Sequence, residues 1–163
     1  MRKRANFDMF VGPSWPTPRE LKPYFLGAPG RPSSFESNGD CLGLNAEGAD
    51  GTEHLEEGKG RVDIRLTMFG NPFHGVLLHY WKFGAGGSDA YYSKGDLRRL
   101  REWVQTNDGD LMPVGLFLPF ETAWKAVKEY IERDGALPGS IAWIAGEDIP
   151  AYAFPRLVPP QLR

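Results

Sequence analysis

The chain contains a single cysteine, Cys41, among its 163 residues. No disulfide can form within it, and a reducing compartment suits it. No stretch approaches the roughly 18 consecutive apolar residues that a membrane-spanning helix needs. Met1-Arg2-Lys3-Arg4 has the charge of a secretory leader, but Asn6-Phe7-Asp8 follows where the leader's apolar run has to begin. These absences lead to the expectation of a cytoplasmic protein with no membrane partner.

Catalytic signatures are also scarce. There is no Gly-x-Ser-x-Gly elbow for a serine nucleophile. Gly84-Ala85-Gly86-Gly87 is glycine-rich like a phosphate loop, yet it lacks the Gly-Lys-Ser/Thr ending and leads into an expected strand, so a hairpin turn is the better reading. Only three histidines are present, His54, His74 and His79. The last two are five residues apart in one expected strand, which places them on opposite faces. His54 lies in an acidic stretch without the convergent spacing of a zinc site or the alternating oxygen ligands of an EF-hand. Cys41 beside Leu42 and Leu44 reads as a small buried hydrophobe rather than a nucleophile. No metal and no cofactor are expected. The alternative is a small hydrolase or metal-dependent enzyme using His54, His74 or His79 with nearby carboxylates. A nucleic-acid binder built on Arg2-Lys3-Arg4 and Arg98-Arg99-Arg101 is disfavoured by the acidic isoelectric point, near 5.9.

What is abundant is aromatic and turn-forming. Ten Phe, six Tyr and five Trp supply large burial units, and twenty Gly with fourteen Pro imply many turns. One domain over residues 1–163 is expected, with the proline-rich segment 1–39 packed on the sheet or trailing from it. Within that segment Arg19 to Leu26 reads as one short helical turn. Asp40 to Asn45 reads as a short strand, and Ala46 to Gly60 as an exposed acidic connection. Val62, Ile64, Leu66 and Met68 alternate with Arg61, Asp63, Arg65 and Thr67, the pattern of a half-buried antiparallel strand. Gly70-Asn71-Pro72 then turns the chain. Phe73 to Phe83 is a second strand, and Ala90 to Ser93 pairs back on it. Asp96 is placed to cap a helix with Leu97, Leu100 and Val104 on one side. Asn107 to Asp110 is a turn, and Met112 to Leu118 the next strand. The fold expected is α+β, a single layer of mainly antiparallel sheet packed against two principal helices.

The best-defined stretch is Leu116 to Trp143. Phe120, Trp124, Val127 and Ile131 form an apolar helical stripe with Pro119 at its start. Gly135 is placed to stop the helix in a left-handed conformation, Pro138-Gly139 blocks its resumption, and Ser140 to Ile144 reads as a strand. An amphipathic helix, a glycine, Leu137-Pro138 and a strand ending in Trp143 resemble the C-terminal signature of a bacterial immunity-protein family of polymorphic toxin systems. Tyr91-Tyr92-Ser93-Lys94-Gly95 resembles a turn in some relatives, so the similarity spans about residues 61 to 145. Members of that family are often encoded beside deaminase toxins. The resemblance therefore implies a non-enzymatic protein that neutralises a cognate toxin domain by stoichiometric binding.

Two features read as binding signals. Seven acids lie between Pro32 and Gly58, a stretch without Lys or Arg, which leaves 19 Lys and Arg against 14 Asp and Glu elsewhere. Glu47, Asp50, Glu53, Glu56 and Glu57 of this block are candidates to face the basic groove of a toxin that acts on nucleic acid. The other signal is aromatic richness near turns, at Tyr80, Trp81, Tyr91, Tyr92 and Trp103. Adjacent Tyr91 and Tyr92 must point to opposite faces of their strand, so one of them is expected to be exposed or half exposed as an interface anchor.

Overall fold

The computed structural model describes residues 1–6, 11–37, 41–106 and 109–155. Asp40, Asn107 and Asp108, which belong to an expected strand and an expected turn, lie outside them.

The alternation in the middle of the chain sets the architecture. Val62, Ile64, Leu66 and Met68 are buried along β4 (Val62–Asn71). On either side stand β3 (Cys41–Ala49) and β5 (Gly75–Gly84), both antiparallel to β4. β1 (Arg2–Asn6) extends the sheet beyond β3, and β2 (Val11–Gly12) pairs with its end. On the other flank β6 (Gly87–Ser93) pairs with β5, and β10 (Trp143–Ala145) closes that edge. The order is β10-β6-β5-β4-β3-β1-β2, with β9 (Phe117–Leu118) paired to the start of β5. Ala85 and Gly86 both have positive φ and form the two-residue turn between β5 and β6, so the glycine run is a hairpin turn.

One face of this sheet carries the main core. Leu42, Leu44, Leu66, Met68, Leu78 and Tyr80 pack there against α1 (Pro18–Phe25) and α3 (Phe120–Glu132), with α2 (Ser34–Ser37) alongside. Each fully buried large apolar side chain contributes about 1.5–3 kcal/mol relative to exposure. The α+β layer with two principal helices is as expected, but the second helix is not at Asp96. It is α1, inside the proline-rich segment. Thr17 Oγ1 accepts from the Glu20 backbone N–H and Glu20 Oε1 accepts from the Thr17 N–H, a reciprocal cap, and Pro18 fills the first turn.

Residues 97–99 form only a single 3-10 turn, capped by Asp96, whose side chain accepts from the Arg98 N–H. The chain then enters a hairpin of β7 (Trp103–Gln105) and β8 (Leu111–Pro113). Backbone proximity explains why no helix forms. A Cβ on Gly95 would lie 2.4 Å from the Phe117 carbonyl oxygen, and one on Gly115 would lie 2.6 Å from that of Asp96. The two segments therefore meet backbone to backbone, closer than a side-chain-bearing helix allows. The same contact interrupts the strand expected from Met112 to Leu118 with a 3-10 turn at Val114–Leu116.

Leu97, Leu100 and Val104 still face inward together. With Leu77, Leu116, Phe117, Ile149 and Ala153 they form a second apolar cluster. Leu77 comes from the sheet face opposite the helices, so this cluster covers one part of that face. The structure departs from expectation at three further places. β3 runs on to Ala49 through a bulge at Gly48, so the exposed connection is 50–60 rather than Ala46 to Gly60. Phe73 is not in a strand but at the tip of the β4–β5 turn, 89% exposed, where Asn71 Oδ1 accepts from the N–H groups of Phe73 and His74. The strand expected over Ser140 to Ile144 forms at Trp143–Ala145.

Candidate partner-binding face

The second cluster leaves the other part of the sheet's second face open, and strand register shows what that part displays. Across the strands, Arg4, Asn45, Arg65, Trp81 and Ala90 fall in one row. On one side runs the row Arg2, Glu47, Asp63, Phe83 and Ser88. On the other runs Asn6, Gly43, Thr67, His79 and Tyr92. A groove of about 400 Å³ lies over the β1–β3–β4 part of these rows, lined by Arg4, Asn6, Gly43, Asn45, Arg65 and Thr67 among others.

An aromatic shelf borders the groove. The rings of Trp81 and Phe83 stack with centroids 4.2 Å apart, and the Trp81 indole N–H donates to Ser88 Oγ at 2.7 Å. The Arg65 guanidinium lies over both rings, 5.6 Å from the Trp81 centroid and 5.1 Å from that of Phe83. Arg65 is exposed and forms no ion pair among the described residues.

Asp63 supports this face from below. It is 5% exposed, takes two hydrogen bonds of 2.9 Å from Arg61, and accepts from the Gly48 N–H at the bulge. The paired carboxylate holds the Arg61 guanidinium above its ordinary pKa. Gly48 has φ near +81°, and a Cβ there would lie 2.4 Å from Cα of Glu53, so the bulge requires glycine. Arg61 also reaches Glu47 and Glu57, both at 3.9 Å, and Glu47 meets Arg2 at 3.5 Å and Arg4 at 3.9 Å.

The candidate residues named from sequence divide between two clefts. Glu47 and Glu57 border the groove just described. Asp50 and Tyr91 line a second cleft of about 420 Å³ on the helix side, with Lys82, Asp89 and Asp134. There Lys82 Nζ meets Asp50 at 2.8 Å. Tyr80 Oη donates to the Gly135 carbonyl at 2.9 Å, and burial with the facing Asp50 and Asp89 carboxylates pushes its phenol up to about 12. The 50–60 connection begins at the second cleft and ends at Arg61 in the first. Within it Glu53 meets the Met1 amino group, which holds its carboxyl below the usual range, and Glu56 meets Lys59 at 2.8 Å. The five acids are thus brought to one end of the sheet, each beside a cation.

Tyr91 and Tyr92 do point to opposite faces, and both are half-buried. Tyr91 packs beside the main core. Tyr92 stacks on His79 with ring centroids 4.3 Å apart and packs on Phe154 at 5.2 Å. Burial lowers the His79 pKa and raises that of Tyr92.

His54 sits in the 50–60 connection and His74 in the turn at the far end of β4, so roughly 30 Å of strand separates them. His74 rests 6.3 Å from the Phe117 ring. Among the described residues no three His, Cys, Asp or Glu side chains converge as a metal site requires. No helix among them is long and apolar enough to cross a membrane. Apart from Arg4, the basic triplets are internally engaged. Arg98 pairs with Asp96, Arg99 with Glu102, Lys3 with Asp134, and Arg101 lies 4.3 Å over the Tyr152 ring.

No protein-family model matches the chain, and no curated protein or solved structure matches it. The site therefore rests on its own geometry.

Sequence points to Trp81 only as one of several aromatics near turns, and it does not single out Arg65, Phe83 or Asn45. The signal for them was present. Arg65 lies on the polar side of the β4 alternation, and Trp81 and Phe83 share a face two residues apart in β5. What the sequence lacked was the register that sets these residues side by side and the knowledge that the second layer stops short of them.

Proposed function

We propose that this protein neutralises a cognate bacterial toxin domain by direct, stoichiometric binding, acting in the cytoplasm as a non-enzymatic immunity protein. The observation that carries the reading is the Trp81–Phe83 shelf under Arg65 on an uncovered, polar-rimmed sheet face. Tryptophan and arginine lead the residue types that anchor protein interfaces, and a packed aromatic centre inside a polar rim is the anatomy of such contacts. The resemblance of Leu116–Trp143 to the immunity-protein signature supports the same reading and suggests a nucleic-acid deaminase as the toxin. Glu47 and Glu57 border the proposed contact, Asp50, Glu53 and Glu56 extend it along the loop end, Tyr91 flanks the neighbouring cleft, and Tyr92 supports the inner edge.

The test is co-expression with the toxin domain encoded in the adjacent reading frame. A one-to-one complex on gel filtration, with cells protected from that toxin, is the expected result. Neither complex nor protection would end the reading.

A further inference from the structure

We infer that the open face recognises a carboxylate-bearing segment of its protein partner, received between Arg4 and Arg65. This inference deepens the proposed toxin-binding function and rests on it.

Charge accounting on the face singles out these two cations. Arg61 is fixed by Asp63 in a bidentate pair, and Glu47 draws Arg2 at 3.5 Å. Arg4 has only a 3.9 Å contact to Glu47 and is two-thirds exposed. Arg65 has no ion-pair partner among the described residues. Arg4, Asn45 and Arg65 occupy one cross-strand row, so their backbone positions span about 10 Å with Asn45 at the midpoint. A carboxylate above Asn45 has an arginine on the strand to each side and an amide below, the Arg65 guanidinium turning to it from its place over the Trp81 and Phe83 rings. Each such bond is charge-assisted, and the planar guanidinium suits two-pronged contact with a carboxylate. In the next row Gly43 carries no side chain, and the Asn45 amide leans toward it, 3.8 Å from where a Cβ would lie, on the floor of the groove. Trp81 and Phe83 beside Arg65 supply an apolar bank for the aliphatic stem or a neighbouring apolar residue.

The same geometry disfavours a nucleic-acid strand. Base recognition on a sheet needs free ring faces, whereas here the two rings stack on each other beneath Arg65. Glu47 and Glu57 at the rim repel a run of phosphates but tolerate one carboxylate held by two arginines.

The experiment measures affinity between the full chain and its toxin domain for wild type, Arg65→Gln, Arg65→Glu, Arg4→Glu and the control Arg98→Glu on a distant surface. Arg65→Gln is expected to weaken binding about 10-fold and Arg65→Glu about 100-fold or more, with Arg98→Glu unchanged. Acid-to-lysine substitutions across the toxin surface should include one that restores binding to Arg65→Glu while weakening binding to wild type. Arg65 is exposed, so its variants should keep the wild-type unfolding transition, and the charge-swap rescue separates lost recognition from lost folding. Wild-type affinity in Arg65→Glu and Arg4→Glu, or weakened binding that no toxin lysine restores, overturns the inference while leaving the toxin reading intact. Binding of random single-stranded DNA to wild type but not to Arg65→Glu would assign the face to phosphate and overturn it also. A wild-type chain that binds no toxin removes both.

Discussion

The phenol of Tyr130, on the buried side of α3, donates a 2.8 Å hydrogen bond to the backbone carbonyl of Leu44 in β3. Both residues are fully buried, and 86 positions separate them, so the bond fixes how the helix sits on the sheet. Removing the hydroxyl by Tyr130→Phe keeps the ring and deletes this bond, a loss of about 1 kcal/mol. The urea midpoint should fall with an unchanged slope. Burial holds the Tyr130 phenol well above its ordinary range, and Tyr80 is raised to about 12. A phenol raised on folding contributes stability that is complete below pH 10 and lost as pH climbs through the folded value. An alkaline titration monitored at 295 nm should show these two tyrosines ionising only as the fold melts, beginning above pH 10.

Two glycine substitutions should differ for a stated reason. At Gly75, φ is near +95° and a Cβ would lie 1.8 Å from the Leu118 carbonyl oxygen, where β9 meets β5. At Gly86, φ is near +80° but nothing lies within 4 Å. Gly86→Ala therefore costs conformational strain alone, about 1 kcal/mol. Gly75→Ala adds a backbone clash and should cost about 3 kcal/mol or more. Thermal melts of the two variants check this, and equal shifts would show that the Gly75 contact yields easily.

The elements that were legible in sequence share a local cause. β4 declared itself through strict alternation, and α3 through its apolar stripe and the stop at Gly135, which has φ near +86°. α1 was under-read because proline density outweighed the Thr17-x-x-Glu20 cap, although Pro18 belongs to that cap's first turn. The helix expected at Asp96 failed for a non-local reason, since Leu97, Leu100 and Val104 satisfy their spacing in a 3-10 turn and a strand once Gly95 and Gly115 bring two backbones together. The binding face was hidden in the same way. Arg4, Asn45, Arg65 and Trp81 are far apart in sequence, and only register assembles them.

His79 gives a pH dependence of known sign. Its ring is sandwiched into the sheet's second face against Tyr92, and burial lowers its pKa below the ordinary value near 6.5. The unfolded chain then binds the proton more readily than the fold does. Stability contributed by neutral His79 is complete above about pH 6.5 and declines as pH falls below it. Urea midpoints at pH 8 and pH 5.5 should differ for the wild type, and His79→Gln should narrow the difference. An equal pH dependence in that variant would assign the effect to other groups.

The loop acids lead to a kinetic expectation rather than a stability one. Glu53 meets the Met1 amino group, Glu56 meets Lys59 and Glu57 meets Arg61, and all three carboxylates are exposed. Exposed pairs of this kind hold the fold weakly, so neutralising all three to Gln should leave the melting temperature nearly unchanged. Their field still extends about 10 Å into solvent at 0.1 M salt and farther at lower salt. If the toxin presents a basic groove to this end of the sheet, association of the triple variant should be slower by a few-fold at low ionic strength and indistinguishable from wild type at high salt. Arg65→Glu should behave differently, because a contact pair acts on dissociation, and its effect should persist at high salt. Stopped-flow association at two salt concentrations separates the two. A triple variant that associates at the wild-type rate in low salt would place the 50–60 connection outside the interface, with the Arg65 face left to account for binding.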